Sequence, residues 1–230
     1  MTQHVHRRPR AALFCLCLAA AAAFVVPRGA YAGAQVEESL APSVVAGLAA
    51  AVSDMPAPAN YAQRGDVRAW IEVMSPRLAA RLPSTAERND FLATVHYEAT
   101  RAGLDPELVL AVIHHESGFK KYAVSSADAR GYMQVMPFWT RLIGNEGQNL
   151  FHLRTNLRYG CTILRHYLSI EGGDVSRALA RYNGSLGRYN GSVGQPDYPS
   201  AVMAALTRYR MPVDSSQPVL TPVSVAVPAR

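Results

Sequence analysis

Cysteine is scarce: the 230 residues hold three, and two of them, Cys15 and Cys17, sit inside an apolar run near the N-terminus. A disulfide framework is therefore excluded, and Cys161, alone in a helical apolar pattern, reads as a buried core residue. Long apolar runs are equally few. The stretch Ala11 to Val26 falls short of the roughly 20 residues a spanning helix needs, and nothing later is apolar enough to anchor the chain. No Lys/Arg run or basic helix face is present, which argues against nucleic acid as a partner. No segment alternates polar and apolar residues for any length, so the fold class expected is mainly α.

The short apolar run has a meaning of its own. Arg7, Arg8 and Arg10 precede it and Ala30-Tyr31-Ala32 follows, the layout of a secretory signal peptide over residues 1–32. Its removal takes four arginines and no acid, so the formal charge of +6 falls to +2. The expected product is soluble, without a membrane anchor, in the periplasm or outside the cell.

Residues 33–83 read as a linker, with Pro56 and Pro58 breaking local helix and one possible packing helix between Tyr61 and Leu82. The compact domain spans 84–210. Ser84 and Glu87 have capping-box spacing ahead of Phe91, Leu92, Val95 and Ala99. Asp105 caps a second helix with Pro106 at its first position, running to Gly118. Gly131 to Ile143 reads as short helical pieces interrupted at Pro137, Asn156 to Ile170 as a helix closed by Gly172-Gly173, Asp174 as the cap of a helix through Tyr182, and Pro199 as the opening of a last helix to about Tyr209. The tail, 211–230, lacks the residues for a core.

On the Asp105 helix, Glu116 stands eight residues after Leu108 and four after Val112, on the core-facing stripe. Partial desolvation and the negative end of the helix dipole both raise its pKa, which suits a general acid near neutral pH. His115-Glu116 also opens a zinc-protease pattern, but Phe119 stands where the second histidine would be. No metal is expected. His115 reads as a core-edge histidine and His114 as solvent-exposed on another face.

Four segments, His115-Glu116-Ser117-Gly118-Phe119, Gly131-Tyr132-Met133-Gln134-Val135-Met136-Pro137, Ala180-Arg181-Tyr182-Asn183 and Tyr198-Pro199, resemble in order and spacing the soluble lytic transglycosylase family. That resemblance implies a lysozyme-like helical domain with a groove for the glycan strands of peptidoglycan, and no cofactor. It implies Glu116 as acid and then base in forming a 1,6-anhydro ring, with Tyr182 orienting the carboxyl. Ser117, Met133, Gln134, Asn183 and Tyr198 become substrate-binding candidates. For several, a structural duty competes: Ser117 could finish the helix, Met133 could fill the core as Met136 does, and Asn183 before Gly184 could cap a helix.

The sequence departs from the family at Tyr132, where Leu is common, and at Arg181 and Asp128, where small residues are common. A tandem repeat adds Arg188-Tyr189-Asn190-Gly191 directly after the first Arg-Tyr-Asn-Gly copy. Helical phase places Tyr182 toward Glu116, while Tyr189 falls among glycines and is expected in a loop. Two rivals remain open: a muramidase with Asp128 positioning water, and a non-catalytic wall-binding module. Endo or exo cleavage, stem-peptide preference, and service to wall turnover or to envelope and secretion-apparatus partners are not legible.

Overall fold

A computed structural model describes residues 35–53, 55–188 and 197–211. The expected signal peptide, the tail from residue 212 and Tyr189 of the second repeat lie outside the described residues. Within them the architecture is mainly α, and the extended pairing is limited to isolated bridges from Arg130 to Val124 and Val135.

The centre is α4 (Pro106–Glu116), in which every residue from Glu107 to Ile113 is buried. A helix apolar all round must be enclosed on all sides. It is packed against α3 (Thr85–Arg101) and α8 (Tyr198–Leu206), while α6 (Leu153–Ile170) lies against α3 and α7 (Val175–Tyr182). Short-range chemistry fixes the starts: Ser84, Asp105 and Asp174 accept hydrogen bonds from the backbone N–H of Glu87, Glu107 and Arg177, as expected of capping residues. α6 begins three residues before the expected Asn156, with no side-chain cap at His152.

Two expectations are corrected. The first concerns the linker, because α1 (Pro42–Val52) folds there and packs on α5 (Phe138–Ile143) and α6 with Leu48 and Val52 buried. α2 (Gly65–Leu78) is the packing helix, burying Trp70, Ile71, Met74 and Leu78. The second concerns the stretch before Pro137, which is a turn: Gly131 has φ 76° and Gln134 φ 50°, left-handed values that no α-helix accommodates. Asn156 holds this turn from below, accepting from Met133 N at 2.8 Å and donating to the carbonyls of Arg130 and Leu150, each at 2.8 Å. Gly160 lets it seat closely, since a Cβ there would lie 2.4 Å from Met133 Sδ. From above, Gln35 donates to Gln134 O at 3.1 Å and accepts from Met136 N at 2.9 Å.

No helix among the described residues is long and apolar enough to cross a membrane.

Candidate active site

Glu116 is the last residue of α4. Ser117 ends the helix: its N–H and its hydroxyl both donate to Ile113 O, and its Oγ accepts from Phe119 N at 3.2 Å. Gly118 and Phe119 then take φ of 59° and 69°, turning the chain sharply away. The result is an open pocket of about 610 Å³ with Glu116, Ser117, Gln134 and Ser125 in its lining.

Glu116 is only 8% exposed. Burial pushes its pKa up to about 8, against the lowering effect of a hydrogen bond from Tyr198. At neutral pH the group keeps its proton. Tyr198 Oη donates to Glu116 Oε1 at 2.5 Å. Its ring meets His115 edge-on at 5.0 Å, and Asp197 fixes the start of α8 by accepting from Ser200 N at 2.8 Å. Burial, and then the charge of Glu116, hold the Tyr198 phenol well above its ordinary pKa, so it remains a donor.

The expectation that Tyr182 orients the carboxyl is therefore corrected. Tyr182 is fully buried beneath the site, and its hydroxyl donates instead to Met133 O at 2.8 Å. A phenol has one proton to give. Met133 is also moved from the pocket to the core: it is 0% exposed, with its side chain against Gly160. Asn183 is buried as the C-cap of α7 and is not in the pocket lining; Gly184 N and Ser185 N close a Schellman pair on Arg181 O and Ala180 O. Gln134 stays in the lining, its amide nitrogen donating to Gly131 O at 2.9 Å and Ala123 O at 3.2 Å.

His114 is half-buried rather than solvent-exposed, its Nδ1 2.6 Å from Tyr209 Oη and its Nε2 3.4 Å from Arg81 Nη2. Burial first, then the Arg81 and Arg208 charges, pull its pKa down to about 4. Asp128 is exposed outside the pocket lining, and both its oxygens accept from Arg130, at 3.0 and 2.9 Å. Burial pushes the Cys161 thiol far up, so it is inert as a nucleophile. Arg81, Gln35 and Tyr209 carry no motif in the sequence. Each comes to the site from a distant segment, so only the fold brings them together.

Residues 93–199, which hold Glu116, Gln134, Tyr182 and Tyr198 but not Gln35, Arg81 or Tyr209, match the family described as the transglycosylase SLT domain. Over these residues the chain is similar to that domain. A phage PRD1 protein named Transglycosylase is 30% identical over 135 residues, covering 59% of this chain and 49% of its own length. The protein named Membrane-bound lytic murein transglycosylase C from Yersinia pestis (strain Pestoides F) is 33% identical over 110 residues, 41% of this chain and 31% of its own. Its namesake from Histophilus somni (strain 2336) is 34% identical over 82 residues, 36% and 20% respectively. The chain thus matches about half or less of the length of these relatives. Glu116, Tyr182 and Tyr198 all lie inside the residues that match the SLT model.

Proposed function

We propose that this chain is a lytic transglycosylase that cleaves the bond between N-acetylmuramic acid and N-acetylglucosamine in peptidoglycan, in the cell envelope. The observation that carries the reading is Glu116, a carboxyl kept protonated to about pH 8 yet lining an open pocket. The Yersinia pestis and Histophilus somni relatives, named as lytic murein transglycosylases, support the same substrate.

In this reaction Glu116 gives its proton to the glycosidic oxygen as the bond to muramic C1 breaks. The C6 hydroxyl of the same sugar then attacks C1, and the Glu116 carboxylate takes the hydroxyl proton, leaving a 1,6-anhydro ring. No water is consumed, so no second protein carboxylate is needed where glycoside hydrolases use two. Tyr198, through its bond to Oε1, orients the carboxyl and favours its ionised form between the two steps. Gln134 and Ser117 line the strand's path. A muramidase reading would need Asp128 to position water, and Asp128 is bound through both oxygens to Arg130.

Glu116→Gln removes the transferable proton and keeps the shape, so lysis of purified sacculi falls by at least about 10²-fold. Mass spectrometry of the fragments released by the wild-type protein finds 1,6-anhydromuramic ends. Fragments with new reducing ends as the main primary product would assign hydrolysis instead, and Asp128→Asn would then cost rate.

A further inference from the structure

Among the described residues, the lining of the pocket that holds Glu116 carries fixed positive charge and no ionised acid at neutral pH. Arg81 and Lys120 are exposed and in that lining, and Glu116 is the only acidic residue among the described residues there. That acid is neutral at pH 7, as is His114, and Ala123, Val124, Ser125 and Ser126 of the lining bear no charge. Arg81 is held in place rather than loose. Its Nη1 donates to Gly118 O at 3.4 Å, its Nη2 meets His114 Nε2, and its guanidinium lies 5.7 Å from the Phe119 ring centroid. It comes from the segment just after α2, before the matched residues 93–199.

A glycan of acetylated amino sugars, with each lactyl group tied up in an amide, is itself uncharged. The anions on such a strand are the carboxylates of its peptides. We propose that Arg81 and Lys120 bind these peptide carboxylates, a step that rests on the peptidoglycan reading above. Arginine presents a fork that pairs with a carboxylate through two parallel hydrogen bonds, and lysine adds a mobile point charge.

The test measures binding, so that it is independent of turnover. Protein carrying Glu116→Gln is co-sedimented with intact sacculi and with sacculi whose peptide carboxyls have been converted to amides. It binds the native polymer about fivefold more tightly, the size expected of two solvent-edged ion pairs, and the ratio shrinks as salt rises. Adding Arg81→Gln and Lys120→Gln brings the ratio to about one, whereas Arg81→Lys with Lys120→Arg preserves it. Arg141→Gln with Arg165→Gln removes the same charge from exposed positions outside the pocket lining and also preserves it. A ratio near one in the parent protein, or its equal loss in the Arg141/Arg165 variant, overturns the proposal. Whether wild-type protein releases fragments is scored separately and bears on the lytic reading alone.

Discussion

Tyr182 and Tyr198 both place a buried phenol near Glu116, and they divide the work by where each hydroxyl proton goes. Tyr198 gives its proton to the carboxyl and so stabilises the ionised form. Removing that donor raises the Glu116 pKa further. On the proposed reading the acid acts while protonated, so kcat/KM in the wild type falls on the alkaline side as the free protein passes about pH 8, and Tyr198→Phe moves this limb to higher pH. Loss of positioning lowers the rate at the same time, by on the order of 10²-fold. Tyr182→Phe has a different signature: the limb stays, and the buried Met133 carbonyl loses its donor at a cost of about 1–3 kcal/mol in denaturant melts. A shifted limb in Tyr182→Phe and none in Tyr198→Phe would return the orienting role to Tyr182. Helical phase read Tyr182's side of α7 correctly, but phase locates a Cα and not the reach of a hydroxyl. Tyr198 opens a separate helix, 82 residues after Glu116, and no periodicity relates side chains on helices so far apart in the chain.

Among the elements, those with local signals were legible and those held by distant contacts were not. Ser84, Asp105 and Asp174 announce helices because a cap acts within three residues. α1 starts at Ala41 with no side-chain cap and is rich in alanine, so its register shows only once α5 and α6 are present. What fastens this N-terminal segment is Arg158 of α6, 3% exposed at its side chain, which pairs with the fully buried Glu98 and donates to Ser53 O and Met55 O. Arg158→Leu leaves Glu98 with only Arg101, at 3.1 Å, takes the Arg158 donor from Ser53 O, and leaves Met55 O with the Tyr97 hydroxyl alone, at 3.3 Å. The expected loss is about 3 kcal/mol in urea unfolding, together with faster proteolysis near residue 55. A loss under about 0.5 kcal/mol would mean that apolar packing of Leu48 and Val52 alone secures α1.

For the molecule as a whole, the buried acid that suits catalysis also makes stability depend on pH. Folded, Glu116 keeps its proton to about pH 8, while in the unfolded chain it titrates near its ordinary value of 4.5. Its favourable contribution is thus complete below about pH 4.5. It declines as pH rises and is gone above about pH 8, because unfolding across that window releases a proton. Each pH step of one across that window costs about 1.4 kcal/mol, so the whole effect is on the order of a few kcal/mol. His96, His114, His115 and His166, all with pKa values lowered by burial, act in the opposite sense by favouring the fold as pH rises. The raw pH profile of one protein therefore mixes the two. Glu116→Gln separates them, because it keeps an acceptor for Tyr198, shares every histidine with the wild type and has no proton to release. In urea melts the two proteins should match near pH 4.5, and the variant should be the more stable by a few kcal/mol at pH 8. Parallel profiles across that range would mean that Glu116 is ionised in the folded protein at neutral pH, and that it waits there as a base rather than as an acid.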